Sequence, residues 1–222
     1  MVDAGTAVPY PPFRMTAKFP SQKYSTAGAF VADYASAMAK ALNSVRPGEI
    51  DRAVTALKRA IQADRLIFTC GNGGSAAIAN HLACDCSKGI ASNTTLRPRI
   101  VSLSATVELI TAIANDMSYP EVFAYQLKNA ARAGDVLITI SSSGDSENII
   151  RALDWAGENG MTTIALSGFS GGRSAQMADI SLHVAAENYG VVEDVHQSLM
   201  HILAQYVRMS ELPSELVQTL RF

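Results

Sequence analysis

His81 and Asp85 lie four residues apart in a stretch that reads as helix, so they share one helix face. Glu193 and His201 lie eight apart in a second helical stretch, within about a quarter turn of each other. Two carboxylates and two imidazoles are a donor set for a tetrahedral site that takes zinc or a similar divalent metal. The same groups are equally a general base and a general acid. Each helix alone is also explained by polar residues that merely face water. His196 is about 140° around the helix from His201, and His183 falls in a strand-like segment, so neither joins the set. Asp194 reads as a solvated or supporting carboxylate.

Two turns rich in small residues suit an anion. In "SSSGDSE" (141–147), Ser141, Ser142, Ser143 and Ser146 place four hydroxyls beside backbone amides at a helix start. Hydroxyl donors, free amides and the positive end of a helix dipole together bind phosphate without a lysine. A lone serine would be an ordinary N-cap; four in six residues after an apolar strand point to phosphate. "CGNGGSA" (70–76) is neither Gly-x-Gly-x-x-Gly nor a P-loop, because it lacks the spacing of the first and the Lys-Ser/Thr of the second. A tight turn that lets backbone approach a sugar phosphate fits better, with Ser75 as a further donor.

The elements that must position these residues alternate. "RLIFTC" (65–70) is a short apolar run without alternation, as in a strand buried on both faces. Segments 99–104, 135–141, 162–168 and 180–185 share that look. Helical patterns fall between them at 75–88, 106–114, 120–131, 146–158 and 173–178. Two more precede them at 25–45 and 47–64, and a long one follows at 192–209. Alternation of this kind predicts an α/β fold with a parallel sheet covered on both sides. Ligands in such sheets bind at the carboxyl ends of the strands, where both turns fall.

The bulk properties agree. A chain of 222 residues with 48% hydrophobic and 17% charged residues is globular and not disordered. A net charge of -2 argues against a broad grip on nucleic acid or an anionic membrane. The longest uncharged run, Leu66 to Cys84, is interrupted by Gly71, Asn72, Gly73 and Gly74, so no membrane span is expected. Cys70, Cys84 and Cys86 are too few for a disulfide framework and read as reduced thiols. With no apolar leader in the first residues, a cytoplasmic protein is expected. The proline-bearing residues 1–22 read as an irregular arm, 23–210 as one domain and 211–222 as a tail.

With these residues in place, "CGNGGSAAIANH", "AIAND", "GDVLITISSSGDSENII" and "VEDVHQSLMHIL" resemble the sugar isomerase (SIS) fold, and within it the phosphoheptose isomerases. The resemblance covers about residues 25–210. It implies a flavodoxin-like, three-layer αβα sandwich with a five-stranded parallel sheet, and a homotetramer with active sites at subunit interfaces. It implies conversion of D-sedoheptulose 7-phosphate to D-glycero-D-manno-heptose 7-phosphate for heptose nucleotide biosynthesis. By motif position, Asn72, Gly73, Gly74, Asn115 and Asp116 contact substrate, and Ser141, Ser142, Ser143 and Ser146 form the phosphate loop. His81, Asp85, Glu193 and His201 match the positions that bind zinc, and Asp85 and His201 match the catalytic base and acid. Three positions depart from the family pattern. Asp85 stands where glutamate is usual, ~1.5 Å shorter in reach; Glu193 stands for glutamine; Gly190 stands where aspartate is common. The rival expectations are an isomerase of another phosphosugar and a non-catalytic SIS module that binds a phosphosugar or a protein partner.

Overall fold

The protein is described by a computed structural model over residues 18–222. Most of the arm expected over 1–22 therefore lies outside the described residues. Two helices lead in: α1 (Ala27–Asn43), capped by the Thr26 hydroxyl, which accepts the Ala29 amide, and α2 (Pro47–Gln62), with proline in its first turn. Strands β1 (Leu66–Gly71), β2 (Arg99–Ser102), β3 (Val136–Ser141), β4 (Thr162–Ser167) and β5 (Ile180–His183) then alternate with helices α3 (Gly74–Cys84), α4 (Val107–Asp116), α5 (Ala124–Ala130), α6 (Glu147–Glu158) and α7 (Gly172–Met177). The long helix α8 (Tyr189–Met209) and a short α9 (Ser214–Val217) complete the order.

All five strands pair in parallel in the order β2-β1-β3-β4-β5. That is the flavodoxin-like order the resemblance implies. The absence of alternation in β1, β3, β4 and β5 is explained by two separate cores; β2, at the sheet edge, alternates between exposed and half-buried residues instead. Ile67, Ile138, Ile140 and Ile164 pack with α1, α2, α3 and α8 on one face. Phe68, Cys70 and Leu137 pack with Ile113, Leu127, Ile149 and Leu153 on the other. Phe68 and Leu137, paired in register and fully buried, each contribute on the order of 2 kcal/mol by leaving water.

Several boundaries differ from the sequence expectation, each for a local reason. β2 stops at Ser102 because the chain turns inward two residues later. There the Ser104 hydroxyl accepts the Gly71 N–H at 3.1 Å and donates to the Gly71 carbonyl at 2.8 Å. The helix expected over 75–88 stays α-helical only to Cys84 and widens into a π-type turn over Asp85–Ile90. Such turns concentrate at functional sites, and Asp85 is the residue at the junction. The helix expected over 120–131 is a 3-10 turn at Tyr119–Glu121 followed by α5. The tail is held: Arg208 donates to the Arg221 carbonyl at 3.2 Å, and its guanidinium lies 4.9 Å from the centre of the Phe222 ring.

β1 and β3 are neighbours, and the chain leaves them toward opposite edges of the sheet. The turns that follow them therefore meet at the topological switch point, where α/β folds bind ligands. Among the described residues, no helix is long and apolar enough to cross a membrane.

Candidate active site

The switch point holds a cleft of about 170 Å³ lined by Asn72, Ser75, Ser141, Ser142, Ser143, Ser146, Tyr189 and Glu193, with Ile140 at its base. Its hydroxyls are free to donate. Ser141 Oγ accepts the Gly144 amide and Ser143 Oγ accepts the Asp145 amide, both at 3.2 Å, and the two hydroxyls meet only at a long 3.5 Å, a contact a ligand oxygen can replace. Ser142 Oγ is buried and has no hydrogen-bond partner among the described residues. An orphaned buried hydroxyl costs roughly 1–3 kcal/mol unless something pairs with it. Ser146 holds the N-cap position of α6 without a side-chain capping bond, which leaves its hydroxyl uncommitted too. Among the described residues, no lysine or arginine lines the cleft.

The glycines of the first turn make room for this. A Cβ on Gly71 would stand 2.5 Å from the Ser75 carbonyl oxygen, and one on Gly74 would stand 2.6 Å from a Glu193 carboxylate oxygen. Gly73 adopts a left-handed φ of 53° that suits glycine. Asn72 is held on three sides. It exchanges amide hydrogen bonds with Asn148 at 2.9 Å in both directions, and its carbonyl oxygen accepts the Tyr119 hydroxyl at 2.8 Å. Asn115 and Asp116 end α4 in an exposed position outside the cleft lining, bonded to each other at 2.8 Å.

Farther along the seam between α3 and α8, His81, Asp85 and His201 bring one ligand atom each within 4.8 Å of one another. His201 Nδ1 lies 2.9 Å from Asp85 Oδ2, and His81 Nε2 lies 3.5 Å from Asp85 Oδ1. The rings meet edge to face at 4.9 Å. Two imidazoles and a carboxylate suit zinc or a similar divalent ion. Glu193, expected as the fourth member, is not in this group and sits at the cleft, against Gly74. Eight residues bring it round to the same helix face, but they also carry it about 12 Å along the axis. The place beside the histidines belongs to Gln197, which the sequence reading missed. Its Nε2 lies 2.9 Å from His81 Nδ1 and 3.1 Å from His201 Nε2. A signal existed: 193, 197 and 201 form one i, i+4, i+8 stripe. Tyr119, Asn148 and Tyr189 were also missed, since only tertiary contact brings them to the turn.

The thiols stay out of the site. Burial, with the Asp85 charge adding to it, pushes Cys86 up to about 12, and Cys84 is exposed and outside the cleft lining. His183 and His196 stay out of the set as expected, but they do not face water: both are buried, because β5 and the inner face of α8 pack into the core.

A family model described as the SIS domain matches residues 31–168. A phosphoheptose isomerase of Halorhodospira halophila is 38% identical over 172 residues, covering 75% of this chain and 85% of the relative. One from Mycobacterium tuberculosis is 38% identical over 168 residues, covering 71% and 84%. The structure of phosphoheptose isomerase GmhA from Neisseria gonorrhoeae superposes with a TM-score of 0.75 at 32% identity, covering 82% of this chain and 96% of that one. The chain belongs to the SIS-domain phosphoheptose isomerase family.

Within this SIS domain, one departure from the family pattern has a structural counterpart. A Cβ at Gly190 would stand 2.9 Å from the Tyr34 hydroxyl, which instead donates to Asp194 Oδ2 at 2.6 Å. Burial, reinforced by that hydrogen bond, raises Tyr34 to about 12, so the hydroxyl remains a donor. Tyr34 thus fills the space that a larger residue at 190 would need, and Asp194 is a supporting carboxylate on α8.

Proposed function

We propose that this chain is an aldose–ketose isomerase that converts D-sedoheptulose 7-phosphate to D-glycero-D-manno-heptose 7-phosphate through an enediol. The observation that carries the reading is the shared seam: hydroxyl cleft and acid–imidazole cluster both lie where α3 and the turn after it meet α8, with Glu193 and His201 on one face of α8. Glu193 marks the cleft end, and His201 lies about 12 Å farther along α8. An extended seven-carbon chain spans roughly 10 Å from phosphorus to C1, given C–C bonds near 1.5 Å. A phosphate held among Ser141, Ser142, Ser143, Ser146 and Ser75 leaves the reacting carbons near Asp85 and His201, whereas a shorter sugar falls short.

In this mechanism Asp85 takes a proton from C1 of the ketose while His201 donates one to the C2 oxygen, giving the enediol. Asp85 then returns its proton to C2, and His201 recovers one from the C1 oxygen, leaving the aldehyde. Asn72, Gly73 and Gly74 bracket the sugar. Asn115 and Asp116 contact it from the end of α4, as their motif position implies. Phosphate binding, remote from the reaction, holds the carbons in register with base and acid.

His81, Asp85 and His201 would hold a divalent metal, with zinc the metal proposed; Glu193, the fourth ligand by motif position, lies at the cleft instead. Bound there, it would act as a Lewis acid on the carbonyl and enediol oxygens. We further propose a cytoplasmic homotetramer with interfacial sites, acting in heptose nucleotide biosynthesis. The site's openness supports the interface: side-chain exposures of 46% for His81 and 36% for His201 leave one side for another subunit to close.

The test is direct isomerisation. Purified protein incubated with sedoheptulose 7-phosphate should form the aldose, lose activity with a chelator and regain it with zinc. Five- and six-carbon phosphosugars should turn over poorly. Equal turnover of the shorter sugars would remove the heptose assignment, and no isomerisation of any phosphosugar would leave a binding module.

A further inference from the structure

Asp85, His81, Gln197 and His201 close a ring of four side chains. Each imidazole has one nitrogen toward Asp85 and the other toward the Gln197 carboxamide. The amide nitrogen has protons and no free lone pair, so it donates to both rings. His81 Nδ1 and His201 Nε2 are therefore bare. Their protons sit on His81 Nε2 and His201 Nδ1; the second donates to the carboxylate at 2.9 Å, and the first lies 3.5 Å from it. That arrangement is complete without a metal. It is also the wrong one for a metal held between the rings and Asp85, because both nitrogens facing that space carry protons.

A half-turn of the carboxamide resolves the conflict. It replaces the NH₂ group by the amide oxygen, which has two lone pairs. Each imidazole can then carry its proton on the nitrogen facing Gln197, donate it to that oxygen, and turn a bare nitrogen toward the cation. We infer that Gln197 is a positioning residue that fixes the tautomers of both histidines, donating to them in the metal-free site and accepting from them in the loaded one. Metal-binding histidines generally hold their second nitrogen against an oxygen acceptor; here a single amide would serve two at once and would reverse its polarity with loading. The loaded half of this inference rests on the metal reading above.

Nitrogen-15 NMR of histidine-labelled full-length protein tests it, at about two pH units above the ordinary histidine pKa. After chelation, wild type should show His81 as the Nε2–H tautomer and His201 as Nδ1–H. Zinc addition should exchange both. In Gln197→Leu the chelated protein should show mixed tautomers, and zinc affinity by chelator competition should fall about 10- to 100-fold. In Gln197→Glu, which accepts but cannot donate, the chelated protein should already show the loaded tautomers and keep zinc affinity at or above wild type. Unchanged tautomers on zinc addition would place the metal on the Gln197 side and overturn the reversal. Wild-type tautomers in chelated Gln197→Leu would overturn the positioning role. Absence of zinc binding would sink the metal reading and the reversal with it, while the chelated spectra would still decide whether Gln197 donates.

Discussion

Asp85 sits where the α-helix gives way to the wider turn, with one oxygen 2.9 Å from His201 and the other 3.5 Å from His81. Its side chain is three-quarters covered, so it meets a substrate in a partly dry setting while remaining reachable. Asp85→Asn keeps the volume and removes the base. Turnover should fall by at least about 100-fold, the usual contribution of a positioned proton-transfer group. Loss of one charge-assisted hydrogen bond should cost stability no more than about 3 kcal/mol. Circular dichroism and thermal melting check the second outcome, and a coupled isomerase assay the first. Wild-type kcat in this variant would mean that another group is the base.

Each chemical feature sits on a junction of elements. The serine turn joins β3 to α6, and the hydroxyls of Ser141 and Ser143 are placed by the turn's own amides. Replacing Ser142 and Ser143 together by alanine removes two donors and leaves the turn's glycine, its backbone bonds and the Ser141 hydroxyl in place. KM for the phosphorylated sugar should rise about tenfold or more, since a hydrogen bond to a charged group contributes roughly 1.5–3 kcal/mol, with kcat changed less. An unchanged KM would remove the phosphate loop. The strands and helices themselves were legible because a buried parallel strand reads as an unbroken apolar run and an amphipathic helix keeps its 3.6 period. Their ends were less so. β2 ends where Ser104 reaches back to Gly71, a partner 33 residues away that no local pattern announces.

At the scale of the whole molecule, the two histidines outside the site tie stability to pH. Burial holds His196 down to about 4 in the folded protein, from an ordinary value of 6.5, and lowers His183 as well. Between those two values the unfolded chain binds a proton that the folded one refuses, so stability falls as pH falls through that window and is level above it. The His196 contribution is on the order of 3 kcal/mol at most. Thermal melting should show Tm declining as pH drops from neutrality toward 4. His196→Leu should flatten that decline, though not abolish it, because His183 remains. An equally steep decline in the variant would assign the effect elsewhere.

Residue type and spacing by themselves determined the α/β class, the two turns at strand ends and the pairing of His81 with Asp85, because each is a local property of one element. The four motifs, in their order along the chain, carried the family and the roles expected of their residues. What only the tertiary structure decided is which face-sharing residues also share a height. Glu193 and His201 agree in angle and differ by two turns along α8, so Glu193 went to the cleft and Gln197 to the imidazoles. The partners of Asn72, namely Tyr119 and Asn148, come from segments 47 and 76 residues away, and only the packing of sheet against helix brings them to one turn.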